Sequence, residues 1–337
     1  MRSAIIVTEE FDGTWPFAAD DFHAKWKAQS DVEFVRLAPG DERPVAEVLN
    51  LPKRITRLAT LGYDLSIADL KTLPLLEEWA SSRLDKIEDE CRSVCKDRNI
   101  QIIGQPSEGF WKQSVAETGL GLTICGLRQI PQKYQAIQTK LDEWNYSPAP
   151  GKGAPGMRGA QYCDDNRFTS GTIHGKRIRI VGAGNIASHY ASIVSFMGAD
   201  VSAYDPYVPE PSFDLAGVRR VLSLEELVED AEIFVPMVPL TDATKGLVTA
   251  DHINRLPKGC LVVLVTRALI CDMDAVRRRV LNDEISLAAD VFDVEPLPLD
   301  DPLLGRHNVI HTPHIAGRTR QAKESWVDRL ICQFKVH

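Results

Sequence analysis

The sequence predicts an α/β protein built from two doubly wound parallel sheets. Three observations predict it. Short β-branched runs alternate with helix-like amphipathic segments along almost the whole chain, its 337 residues exceed the span of an ordinary single core, and a stretch dense in Pro and Gly separates two series of runs. In the first third, "AIIV", "VEFVRL", "ITRLAT", "LLEEWA" and "IQIIG" read as strands. From Arg177 onward, "RIRIVG", "VSAY", "EIFVPMV", "CLVVLVT", "ISLAADVF" and "NVIHT" read as six more. Between the series, "VAETGLGLTICGLRQIPQKYQAIQTKLDEW" reads as one long helix and "SPAPGKGAPGMRG" as a loop. Ser223 with Glu226 reads as a capping box, and Gly198 stands where a helix C-terminus takes a positive φ. The closing "TRQAKESWVDRLICQFKVH" reads as a terminal helix that crosses back to the first series.

Composition narrows the function. With 44% hydrophobic and 26% charged residues the chain is ordinary globular protein, and a net charge of -8 excludes a general attraction to nucleic acid or to an anionic membrane. The seven cysteines are scattered and form no CxxC, so neither a disulfide framework nor a metal site is expected, and a reducing cytoplasmic setting fits. Cys91 and Cys95 fall on one helical face and read as buried small apolar residues. The apolar run at the N-terminus is too short for a signal peptide, and no run reaches membrane-spanning length.

The most informative stretch is "RIRIVGAGNIASHYASIVSFMGADVSAYDPY". Gly182-Ala183-Gly184-Asn185-Ile186-Ala187 follows a strand directly as GxGxxA and opens a helix. Gly182 and Gly184 permit a tight turn and close approach of a pyrophosphate, Ala187 permits close helix packing, and the amides of Asn185 and Ile186 face the phosphates. Asp205 ends the next strand, where a carboxylate accepts from both ribose hydroxyls and repels a 2′-phosphate, selecting NAD over NADP.

Along almost its whole length, and strongly from about Ser114, the chain resembles the D-isomer-specific 2-hydroxyacid dehydrogenases. The motifs that carry the resemblance are "SVAETGLGLTICGLR", "GAGNIASHYA", "AYDPY", "VPLTDATKGLV", "VTRALICDMDAV", "AADVFDVEP" and "TPHIAGRT", in the family's order. It implies Arg267, Glu295 and His314 as the catalytic trio, and the chemistry independently suits those residue types. Reducing a 2-keto acid requires a hydride at the carbonyl carbon, a proton at its oxygen and a cation at the carboxylate. His314 can give and retake the proton, Glu295 can hydrogen-bond the imidazole and favour its charged form, and the fork of Arg267 can grip carboxylate and carbonyl together. The resemblance also implies Asp290 as the partner of the nicotinamide carboxamide, with Pro239, Val265, Thr266 and Gly317 as further cofactor contacts. It implies a flavodoxin-like substrate-binding domain at residues 1–110 with 319–337, an NAD-binding Rossmann domain at 111–318, an active-site cleft between them, and a homodimer formed through the helix near Val115 to Gln135.

The pattern breaks in the first third. Family members carry a GxGxD loop for the substrate carboxylate, and the best alignment here is "ASSRLDKIE", with Ser81, Ser82 and Arg83 in place of glycines. "TLGYD" at Thr60 to Asp64 is the competing candidate. Arg83 could meet a second anionic group, and Trp111 could wall the substrate pocket. The leading reading is an NAD-dependent enzyme that interconverts a 2-keto acid and a D-2-hydroxy acid. The alternative is an NAD-binding regulator or scaffold on the same fold, as in the C-terminal-binding-protein corepressors. A formate dehydrogenase is disfavoured, since that branch carries Gln where this chain has Glu295.

Overall fold

The structure, a computed structural model, describes residues 2–105, 109–144, 154–157, 159 and 161–335, so most of the expected Pro/Gly loop lies outside the described residues. The chain divides into two compact units, Met1–Phe110 with Arg318–His337, and Trp111–Gly317.

The first unit holds five strands, β1 (Arg2–Val7), β2 (Asp31–Arg36), β3 (Arg57–Leu61), β4 (Glu78–Ser81) and β5 (Gln101–Ile103). All pair parallel in the order β2-β1-β3-β4-β5, one of the two common doubly wound orders. Strand alternation sends Ala4, Ile6, Leu58 and Trp79 into one core, together with Cys91 and Cys95 from helix Asp89–Asp97. The C-terminal helix Arg320–Ile331 belongs to this unit. Aromatic contacts fasten it and the residues that follow: Trp326 lies 5.0 Å from Trp15 and 5.7 Å from Phe11, and Phe334 lies 4.8 Å from Trp26.

The second unit holds seven parallel strands, β6 (Arg177–Val181), β7 (Asp200–Tyr204), β8 (Arg219–Val221), β9 (Ile233–Pro236), β10 (Leu261–Leu264), β11 (Ser286–Ala289) and β12 (Val309–His311). Their order is β12-β11-β10-β9-β6-β7-β8, so the winding reverses between β6 and β9. Because helices cover both faces, the central strands send apolar side chains to both sides: Ile178, Val235, Leu261 and Val263 enter one core, and Val181, Phe234, Val262 and Leu264 the other.

Three sequence expectations change. The sheet has a seventh strand, β8, that was not read, because three residues spelling "RRV" at an edge carry no apolar run. The long helix is two: Lys112–Arg128 ends at Gln129, which takes φ 49° and ψ 39°, and Ile130–Ala136 starts beyond it. Pro131 is the reason, since its ring and missing N–H cannot continue a helix through Leu127. The capping box is half formed: Ser223 Oγ accepts from Glu226 N at 3.3 Å, but the hydroxyl donates to Glu225, and Glu226 does not reach back.

Candidate active site

The residues singled out in the second unit gather at one edge of its sheet. Gly182 follows β6, Asp205 follows β7, Pro239 lies beyond β9, Arg267 beyond β10, Asp290 and Glu295 beyond β11, and His314 beyond β12. This is the carboxyl edge, where the crevice at a winding reversal receives ligands in open parallel sheets.

At the nucleotide turn, Gly182 takes φ +107°, and a Cβ there would stand 2.8 Å from Val238 Cγ1 and 3.0 Å from the Met237 carbonyl oxygen. Only glycine fits both the angle and the space. Gly184 has nothing within 4 Å of its Cβ position, and no side chain caps the helix Asn185–Phe196 that it begins. The first amides of that helix are therefore left without a side-chain cap, beside a groove lined by Ala183, Gly184, Asn185, Ser188 and Val208. Asp205 braces the turn: its Oδ2 accepts from Ala183 N at 2.9 Å, and its Oδ1 accepts from Tyr207 N and Val208 N at 3.0 and 3.2 Å. A carboxylate has about four acceptor positions, so one remains for a ligand hydroxyl. Turn, open helix end and carboxylate fit a dinucleotide.

His314 and Glu295 meet. His314 Nδ1 lies 2.7 Å from Glu295 Oε2, and the side chains are 40% and 35% exposed, so the pair is partly open to a ligand. Glu295 Oε1 accepts from Phe292 N at 2.8 Å, which fixes the carboxylate. His314 has φ +54°, a sparsely populated conformation for a residue with a side chain. What holds it there is Asp290, which is 0% exposed. Asp290 Oδ1 accepts from Thr312 Oγ1 at 2.5 Å and from Ile315 N at 2.9 Å, and Oδ2 accepts from Ala316 N at 2.8 Å. The expected carboxamide contact would have to use the one acceptor position left. Arg267 is exposed, donates from Nη1 to its neighbour's carbonyl on Thr266 at 2.7 Å, and forms no ion pair among the described residues. Thr266 is buried, with its hydroxyl shared between the carbonyl oxygens of Pro236 and Val238 at 3.4 Å each, and Val265 belongs to the core. The Pro239 carbonyl accepts from Thr244 Oγ1 at 2.5 Å. A Cβ at Gly317 would stand 2.7 Å from the Trp111 ring, so the close contact needs a glycine.

In the first unit the two competing loops touch each other. Gly62 N donates to Ser82 Oγ at 2.8 Å, and Ser81 Oγ accepts from Arg83 N at 3.1 Å. Gly62 has φ +83°, and a Cβ would strike Thr8 Oγ1 at 2.1 Å. Arg83 is engaged on both sides, by Glu10 at 2.5 Å and Asp64 at 3.3 Å. Among the described residues no group of His, Cys, Asp and Glu could hold a metal ion, and no helix is long and apolar enough to cross a membrane.

Fold and site define a nucleotide-binding protein of two parallel α/β units with a histidine–carboxylate pair at the edge of the second. Residues 151–316 match the family model "D-isomer specific 2-hydroxyacid dehydrogenase, NAD binding domain". The second unit therefore carries the NAD-binding domain of the D-isomer-specific 2-hydroxyacid dehydrogenase family, and NAD is the cofactor of that domain. It is 31% identical over 238 residues to D-3-phosphoglycerate dehydrogenase of Haemophilus influenzae, covering 69% of this chain and 52% of that one. It is 29% identical over 230 residues to the Methanocaldococcus jannaschii enzyme of the same name, covering 68% and 39%, so the alignment spans about half or less of these relatives. With the hydroxypyruvate reductase of Thermotoga maritima it shares 28% identity, over 68% of this chain and 67% of that one. In fold it resembles a phosphoglycerate oxidoreductase from Rhizobium etli, with a TM-score of 0.71 at 24% identity over 97% of this chain and 92% of that one. The NAD-complexed D-isomer-specific 2-hydroxyacid dehydrogenase of Lactobacillus delbrueckii superposes with a TM-score of 0.70 at 16% identity, over 98% and 95%.

Proposed function

We propose that the protein is an NAD-dependent dehydrogenase that interconverts a 2-keto acid and a D-2-hydroxy acid. The observation that carries this reading is the bond between His314 Nδ1 and Glu295 Oε2 at the end of β12. The nicotinamide, when bound, supplies or receives the hydride. Glu295 accepts a hydrogen bond from Nδ1–H and so sets the tautomer and orientation of the ring, leaving Nε2 to give a proton to the substrate's carbonyl oxygen and to take it back in oxidation. Arg267, free of any carboxylate among the described residues, binds the substrate's carboxylate and polarises its carbonyl. Asp290 keeps His314 in its uncommon backbone conformation and offers its remaining acceptor position to the carboxamide. Ser82 stands beside Gly62 as the first unit's contribution to substrate binding. Arg83 can serve a second anionic group only by giving up Glu10 or Asp64. Pro239, Val265, Thr266 and Gly317 border the cofactor.

We place the protein in the cytoplasm, where its seven unpaired cysteines suit a reducing medium, and read it as a homodimer. Ile130, Tyr134, Ile137 and Leu141 form an exposed apolar stripe just past the helix Lys112–Arg128, an area a second copy would cover.

The test is NADH oxidation with a panel of 2-keto acids, run beside His314→Ala. Wild type should turn over at least one of them, and the variant should bind NADH normally while losing about 100-fold or more in kcat. NADH binding without turnover in the wild type would transfer the reading to a nucleotide-sensing scaffold.

A further inference from the structure

A second cationic cluster lies in the first unit, apart from every residue given a role so far. Its cleft is lined by Thr14, Phe17, Arg318, Arg320 and Lys323. The three cations stand at the start of the helix Arg320–Ile331, whose first turn has no acidic residue. A helix N-terminus is its positive end and favours anions, so this is where unbalanced positive charge is least at home.

Lys323 is the informative member. Its side chain lines the cleft, it is 4% exposed, and it makes no side-chain hydrogen bond or ion pair among the described residues. Burial and the nearby Arg318 both hold its ammonium below the ordinary lysine range, and no carboxylate opposes them. A lysine this deeply buried normally has a partner, and here its ammonium opens only on the cleft. The two arginines retain donors: Arg318 uses Nη1 for the Thr14 carbonyl at 2.8 Å, and Arg320 uses Nε for Glu324 at 2.8 Å. Phe17 is 59% exposed with φ +73°, and the Arg320 guanidinium lies 5.9 Å from its ring.

We propose that this cleft binds a phosphate monoester, with Lys323, Arg318 and Arg320 on the phosphate and Phe17 against the organic part. Three cations against the single carboxylate of Glu324 leave a surplus that a phosphate dianion matches and a lone carboxylate does not. The ligand is either a separate effector or a substrate that carries its own phosphate.

Inorganic phosphate is the probe, titrated into the NADH-saturated protein at constant ionic strength with chloride as reference, and read by thermal melting. Wild type should show a saturable rise in Tm. Lys323→Met, which keeps the buried stem and removes only the ammonium, should melt within a few degrees of wild type without phosphate and should lose the phosphate response. Arg320→Gln, at an exposed position that folding tolerates, should weaken phosphate by about tenfold. NADH affinity should be unchanged in both variants. No phosphate response in wild type, or the same response in all three proteins, overturns the inference. A 2-keto acid with and without a phosphate group then separates the sources. If the substrate brings the phosphate, Lys323→Met raises KM for the phosphorylated compound alone; if an effector brings it, both KM values hold while the Tm response is lost. This second comparison rests on the dehydrogenase reading and the melting experiment does not, so failure of one is distinguishable from failure of the other.

Discussion

Asp290 is fully buried, and both of its oxygens face the segment that bears His314. Its three bonds make the backbone of that segment, and with it the imidazole, a consequence of one carboxylate. Asp290→Asn turns one acceptor oxygen into a donor opposite another donor, which should cost about 2 kcal/mol or more, roughly 4–8 °C in Tm for a unit of this size. If the residue also positions His314, kcat should fall by more than KM rises. Melting curves and steady-state kinetics on one preparation decide this. Asp205 has a parallel place at the nucleotide turn, bonded to Ala183, Tyr207 and Val208. Asp205→Ala should weaken NAD relative to NADP, and an unchanged preference would refute its role at the ribose.

At the scale of the element, the segment that carries Glu295 is held by one arginine. Arg277, on helix Met273–Leu281, reaches Asp293 at 2.7 Å and Asp301 at 3.0 Å, on either side of Glu295. Burial alone would raise the Asp293 carboxyl, but Arg277 overcomes it and holds the group below the ordinary carboxylate range. A depressed carboxylate stabilises the fold above its unfolded pKa of about 3.9, and that stability is lost as pH falls through the lower folded value. Arg277→Met should therefore cost about 1–3 kcal/mol at neutral pH and progressively less in acid. Denaturant titrations of both proteins from neutral to acidic pH measure the convergence. The variant should also lose kcat while keeping NADH affinity, because the carboxylate behind His314 is then less well placed.

For the whole molecule, burial sorts the cysteines. Cys91, Cys95, Cys260 and Cys271 are buried, and desolvation pushes all four thiols up, whereas Cys332 is exposed. A brief alkylation read by mass spectrometry should modify Cys332 in the native protein and those four only after unfolding, since the thiolate is the reactive form. The same contrast between local and distant information governs what was legible in the chain. Each apolar run from "AIIV" to "NVIHT" announced a strand because both faces of a covered parallel sheet demand apolar residues, while the charged edge strand at Arg219–Val221 faced no such demand. Gly182 and the amides after it were legible because a phosphate-binding turn is built from consecutive residues.

The sequence by itself determined the parallel α/β class, the glycine-rich nucleotide turn and the resemblance to a dehydrogenase family that singled out Arg267, Glu295 and His314. Those are properties of short segments and of their order along the chain. Only the tertiary structure decided that Glu295 Oε2 lies against His314 Nδ1, that Asp290 holds the histidine's loop, that Glu10 and Asp64 engage Arg83, and that Lys323 is buried without a partner. Each of these joins residues far apart in sequence or depends on what surrounds a side chain, and a carboxylate is committed to one donor and not another only by the packing that brings the two together.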